Sequence, residues 1–231
     1  MTNAEPSSLL HTAEIVHWGA LAFMGVVYTT RILWLLKFKK PMDRSPRGGD
    51  GKVSPKDAGI HSLGNVAMPW GMESTRNHMG FYLTFVIFHL GVVGGITLAF
   101  LSSLAPSLMA NPAVAYPLGG MCAAGFLVAL YRVVRRFTSP VLKLVSTPDD
   151  YFSLLMLTGW MGLGAIAQAH LFGVPQFADQ MYLVAYLFAT SFFLVYVPFS
   201  KISHYLYYPF TRFWLGKSLG HRGSYPYAQR S

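Results

Sequence analysis

Charge is scarce in this chain. Of 231 residues only 12% are Asp, Glu, Lys or Arg, while 53% are hydrophobic, and the mean hydropathy is positive. That balance lies outside the range of water-soluble globular domains. Cysteine is nearly absent too: Cys122 is the only one, and it falls inside an apolar run. Neither a disulfide nor a thiolate metal site can be built within the chain, so Cys122 reads as a small apolar residue. There is no cysteine set for an iron–sulfur cluster and no Gly-rich nucleotide fingerprint. No internal repeat is visible either, which argues against the inverted-repeat transporter folds. The N-terminal stretch MTNAEPSSLLHTAEIV lacks the basic start of a cleavable signal, so the first apolar segment is expected to stay as a helix.

What the chain does have is length in apolar runs. A bilayer-spanning helix needs roughly 20 predominantly apolar residues, and five segments qualify, at about 13–36, 80–101, 113–131, 151–172 and 181–199. The expected fold is all-α, a single integral membrane five-helix bundle over residues 1–231. Basic residues set its orientation, because cytoplasmic loops carry the excess of Lys and Arg. Nine of the eighteen run from Arg31 to Arg76, four from Arg132 to Lys143 and five from Lys201 to Arg230. None lies before the first segment, between the second and third, or between the fourth and fifth. This alternation predicts an outside N-terminus and a cytoplasmic C-terminus. It also accounts for the net charge of +9: anionic inner-leaflet lipid and a cytoplasmic partner are simpler targets for it than nucleic acid.

The only long connection, residues 37–77, is cytoplasmic in this scheme. Its first half, rich in Pro, Gly, Lys and Asp, reads as a solvated loop. The stretch LGNVAMPWGMES, with Met68, Trp70 and Met72, suits the membrane interface, where aromatics concentrate. Before the fourth helix, Thr147 is a candidate N-cap and Pro148 a candidate first helical residue.

An ionisable side chain within a membrane helix is costly and raises a functional question. In NHMGFYLTFVIFHLG, His78 and His89 are eleven residues apart, about 1,100° of helical rotation and about 16 Å of rise. They share a face at different depths, which suits stacked sites better than one shared site. His204, at the cytoplasmic end of helix five in PFSKISH, is expected level with His78. Two imidazoles facing each other across a bundle suit the two axial positions of a haem iron. Plainer readings stand beside this one: a histidine at a helix end meets headgroups or last-turn carbonyls, and Met79 beside His78 leaves copper open.

On NHMGFYLTFVIFH and PFSKISH, the chain resembles the gamma subunit of respiratory nitrate reductase and its relatives. These are membrane cytochrome b subunits of quinol-linked complexes, including heterodisulfide-reductase-like oxidoreductases. The resemblance implies five transmembrane helices and haems held by two histidines on helix two and two on helix five. It implies His78 and His204 as the axial ligands of one haem b. The family's other helix-five ligand falls where this chain has Tyr186 in LVAYLFAT, and a neutral phenol is a poor iron ligand.

His89 is then left with three accounts. It holds a second haem with His17 of helix one or His170 of helix four, each about 12 Å above it by rise per residue. Or it hydrogen-bonds a quinone carbonyl or a haem propionate, or it is a packed histidine satisfied by a helix neighbour. Near the outer face, Glu14 and His17 lie one turn apart, with Gln168 and His170 at matching depth. A base beside a ring hydroxyl and a proton route to water are what quinol oxidation needs, so these residues form a candidate quinone site. Polar helix ends in the headgroup layer are the bland alternative. His11, His61 and His221 read as solvated. Gly91 and Gly95 form a GxxxG step that serves either close helix packing or a macrocycle's entry.

The function implied by the resemblance is a haem b membrane subunit in a prokaryotic plasma membrane. It would pass electrons between the quinone pool and a cytoplasmic iron–sulfur partner that carries the terminal chemistry. The alternatives are a non-redox anchor or small transporter subunit without haem, and an anchor that binds quinone alone.

Overall fold

A computed structural model describes residues 8–38, 54–71 and 73–219. The described residues are helical almost throughout and contain no strand. In chain order the α-helices are α1 (Ser8–Leu36), α2 (Pro55–Gly64), α3 (Glu73–Asn77), α4 (Met79–Leu104), α5 (Pro112–Thr138), α6 (Pro140–Val145), α7 (Pro148–Phe172), α8 (Met181–Tyr196) and α9 (His204–Leu219). Five spans are long and apolar enough to cross a membrane: Ser8–Leu36, Met79–Leu104, Pro112–Thr138, Pro148–Phe172 and Met181–Phe199. The protein is a multi-pass membrane protein, with the five helices where hydropathy places them.

Four of the five helices run beyond the expected ends, because the backbone ladder stops at a cap or a proline rather than where the apolar run stops. Helix α5 begins at Pro112 with the Asn111 side chain accepting from the Ala113 N–H at 3.0 Å, and ends before Ser139 and Pro140. At the start of α7 the Asp150 carboxylate accepts from the Thr147 N–H (2.8 Å) and hydroxyl (2.9 Å), with Pro148 next. The expected cap is therefore present. The helix ends at Gly173, whose φ of 87° is the left-handed conformation glycine adopts without strain. The early part of the 37–77 connection, residues 39–53, lies outside the described residues, as do Met72, His221 and Arg222. The later part is more ordered than a solvated loop: α2 starts at Pro55, with the Ser54 hydroxyl accepting from the Asp57 N–H at 3.1 Å.

The chain divides into two compact units. The first, Met1–Val27 with Leu83–Tyr196, takes in the greater part of all five spans. Its helices meet through small residues. A Cβ on Gly91 would lie 2.6 Å from the Gly125 Cα, and one on Gly125 would lie 2.6 Å from the Gly91 Cα. The Met161 sulfur closes the same contact at 3.0 Å and 2.9 Å. One turn along α4, the Trp160 ring fills the space over Gly95, 2.6 Å from a Cβ there. Apolar side chains gain nothing from leaving lipid, so helices in a bilayer associate by close van der Waals fit and interhelical hydrogen bonds. Both are present: Trp160 Nε1–H donates to the Thr190 hydroxyl at 2.8 Å, and Tyr186 donates to the Gly95 carbonyl. Between α7 and α8, the Tyr196 phenol donates to Asp149 at 2.8 Å and lies 3.1 Å from the Ser153 hydroxyl.

The second unit is Tyr28–Tyr82 with Val197–Ser231. Here α2 packs against α9, and again glycine permits it: a Cβ on Gly59 would lie 2.7 Å from the Phe213 ring, and one on Gly216 2.5 Å from the Ser62 Cβ. The end of α1 is tied to the chain after α8 by Arg31, which donates to the Pro198 carbonyl and lies 4.9 Å over the Phe199 ring.

The glycine contacts make a contrast that thermal unfolding in detergent or lipid reads directly. Gly125→Ala puts a methyl against backbone that cannot swing away and should cost about 1–3 kcal/mol. Gly120→Ala, with nothing within 4 Å of the new carbon, should leave the midpoint unchanged or raise it. Equal effects would mean that the Gly91–Gly125 contact does not hold α4 to α5.

Candidate functional site

His78 occupies the turn between α3 and α4 and is exposed. Its N–H donates to the Thr75 carbonyl at 3.2 Å and its carbonyl accepts from the Tyr82 N–H at 3.1 Å. His204 opens α9 and is also exposed. Its position follows from a break in the fifth helical run. Ser200 is extended, with φ −104° and ψ 171°, and its hydroxyl accepts from the Ile202 N–H at 3.2 Å, so the helix stops near Phe199 and restarts at residue 204. Pro198, which brings no N–H of its own to the ladder, contributes to the stop.

The His204 Nδ1 lies 3.1 Å from the Lys201 carbonyl oxygen. A carbonyl only accepts, so this contact puts a proton on Nδ1. A proton there is what a metal-ligating imidazole carries when a backbone carbonyl orients it. His78 and His204 fall in the same unit. Beside them, Tyr205 donates to the Tyr28 hydroxyl at 2.6 Å, the two rings edge to face at 5.9 Å. Burial pushes the Tyr205 phenol above its ordinary range, which keeps it protonated as the donor.

The remaining candidates belong to the other unit. Tyr186 is fully buried. Its hydroxyl goes to the Gly95 carbonyl, its ring stacks on Trp160 at 6.1 Å and 19°, and its own carbonyl accepts from the Thr190 hydroxyl at 2.8 Å. A phenol spent as a donor in a packed interior does not fit an iron ligand. Gly91 and Gly95 likewise serve packing, against Gly125 and Trp160. Tyr186 therefore does not fit as an iron ligand.

His89 is half-buried on α4, with Nδ1 2.8 Å from the Phe85 carbonyl and its ring between Phe85 and Phe88, at 4.1 Å and 5.7 Å. One ring nitrogen is thus satisfied by a helix neighbour, one turn earlier, and the lone pair sits on Nε2. His170, also half-buried, holds the chain beyond α7 through Nδ1 and the Phe177 carbonyl at 2.8 Å. His17 differs from both. It is wholly buried on the α1 face that also carries Leu10, Ala13 and Ala20, and neither ring nitrogen has a hydrogen-bond partner. The Gln168 Nε2 is buried without a partner as well. Glu14, one turn from His17, is half-exposed. His11 is exposed, and His61 on α2 is half-buried rather than solvated.

Among the described residues no three His, Cys, Asp or Glu side chains converge, which bears on copper and not on a haem iron, whose axial positions need only two. Sequence reading missed Arg31 as more than a topological charge. Its signal was the end of the apolar run at residues 197–199, where the last carbonyls of a helix lack an intrahelical N–H and call for a donor. It also missed Thr190, whose spacing of four from Tyr186 marks a hydroxyl bonded within its own helix.

Tyr186→Phe tests the strut against a ligand role. The exchange should lower stability by about 1 kcal/mol, the net worth of one hydrogen bond, and leave any bound haem and its spectrum unaltered. A changed haem content or Soret band would show the phenol acting at iron. Comparison of the chain with protein-family models, with curated proteins and with solved structures finds no match in any of the three.

Proposed function

We propose that this chain is a haem b membrane subunit that carries electrons between the quinone pool and an iron–sulfur redox partner on the side of the basic loops. The observation that carries the reading is placement: His204, with Nδ1 3.1 Å from the Lys201 carbonyl oxygen, stands at a helix break in the unit that also holds His78. His78 and His204 would be the axial ligands. A haem so held takes up and gives out one electron at a time, matching two-electron quinol to a one-electron partner.

The chain's own residues do the rest. Arg31, by holding the Pro198 carbonyl and Phe199, fixes the break from which His204 emerges. His17 and Glu14 serve the quinone side: an imidazole nitrogen accepts from a ring hydroxyl, and the half-exposed carboxylate one turn away passes the proton toward water. The basic loops, with Arg135 and Arg136 at the end of α5 and Lys201 after the last span, supply the positive charge that an acidic partner meets. The N-terminus is on the outer face in this scheme, the C-terminus is cytoplasmic, and the host is a prokaryotic plasma membrane. The competing reading, an anchor or small transporter subunit without haem, draws on the close packing around Gly91, Gly95 and Tyr186.

A reduced-minus-oxidised spectrum with a pyridine haemochrome count separates the two. Protein purified from membranes should hold a single b-type haem per chain, lost in His78→Ala and in His204→Ala; no b-type signal in the unmodified protein sinks the proposal. For the quinone side, His17→Leu should keep the haem and slow its reduction by added quinol, at equal or higher thermal stability. An unchanged reduction rate would remove His17 from the site.

A further inference from the structure

The helix pair α2 and α9 lies outside the five spans, yet it carries apolar and aromatic side chains in the open. Ile60 on α2 is 53% exposed, and on α9 Phe210 is 42% and Trp214 38% exposed; Trp70, between α2 and α3, is 66% exposed. These are not random positions. Phe210, Trp214 and Lys217 follow one another at helical spacings of four and three and so form one stripe, and Lys56 and Ile60 do the same on α2. The face of α9 about a quarter turn round from that stripe is spent on α2, through Gly216 against Ser62 and Phe213 against Gly59. The pair is therefore a rigid platform with an aromatic, aliphatic and basic outer surface.

The depth of that platform can be read from α1. Arg31 meets Pro198 and Phe199. The first and fifth spans cross the membrane in the same direction, so a fifth helix continuing straight would carry residue 205 about 9 Å beyond the level of Arg31, at 1.5 Å per residue. Instead Tyr205 bonds Tyr28, one turn back along α1 and within the Ser8–Leu36 span. The chain turns at Ser200, and α9 starts beside the turn of α1 that carries Tyr28, within a span long and apolar enough to cross a membrane. Aromatic rings at that level, with lysines whose stems lie along apolar surface and whose ammonium groups reach outward, are the side chains that headgroups accept.

We propose that α2 and α9 form an interfacial platform seated in an anionic phospholipid surface. Phe210, Trp214, Ile60 and Trp70 enter the headgroup–acyl boundary, and Lys56 and Lys217 meet lipid phosphates. Charge complementarity favours an anionic lipid, each lysine near such a surface contributing attraction. The inference stands without the haem reading. It has one bearing on it: His204, as the first residue of α9, would be held at headgroup level by the platform, and a soluble partner would approach elsewhere.

Site-directed fluorescence tests this on the full-length protein in nanodiscs. Cys122 is buried, so Trp214→Cys and, separately, Ile60→Cys can each carry the only reactive thiol for a bimane label. In discs containing phosphatidylglycerol, both labels should be strongly quenched by lipid bearing a shallow nitroxide and protected from aqueous iodide. Adding Lys217→Glu should weaken the preference for phosphatidylglycerol over phosphatidylcholine by about fivefold. Quenching by iodide with none from the nitroxide lipid overturns the proposal. So does protection from both quenchers, which marks a face covered by protein, and so does equal lipid quenching in discs with and without phosphatidylglycerol.

Discussion

The approach of α4 to α5 at Gly91 and Gly125 is the contact on which the first unit depends. Lipid offers an apolar side chain much the same surroundings as a protein interior, so helices cohere only where backbones come close enough for dispersion and interhelical hydrogen bonds to act. Two glycines facing each other allow that distance, the Met161 sulfur seals it, and Gly95 one turn on admits Trp160. Once the Trp160 ring lies there, its indole N–H needs an acceptor and finds Thr190; Thr190 in turn bonds the Tyr186 carbonyl, and Tyr186 returns to Gly95. A polar circuit across α4, α7 and α8 follows from the absence of side chains at three positions.

That circuit explains why the fold was more legible than the site. Hydropathy found all five spans, because the bilayer makes one demand of twenty consecutive residues and the demand is written locally. The start of α7 was equally plain, since Thr147, Pro148 and Asp150 act on backbone groups within one turn. Helix ends were read short because an apolar run ends before its hydrogen-bond ladder does, as in the arginine-bearing end of α5. The Gly91–Gly95 step was open between packing and cofactor room, and its partner, Gly125, is far away in sequence. No local pattern discloses such a pairing. The same holds for α2 and α9, whose contact joins glycines more than 150 residues apart.

The histidines divide along this line. Those with a nitrogen bonded to a carbonyl three to seven residues away, His204, His89 and His170, have a tautomer set by local chain geometry. His17 has none set for it. Tyr186 occupies the position where the resemblance calls for a second histidine on the fifth helix, and it is a structural member whose hydroxyl donates to the Gly95 carbonyl.

Helix α1 shows the reverse economy. Almost all of its length faces outward, and its buried face in the first unit is four residues, Leu10, Ala13, His17 and Ala20. Along its outward face in that unit a side chain soluble in oil suffices, so Ile15 or Val16 can be exchanged among apolar types at little cost, while Gly91 or Gly125 cannot. The information that defines this protein is thus unevenly distributed. One span is specified mainly by its solvent, another by its neighbours, and drift in sequence will erase the first long before it touches the second.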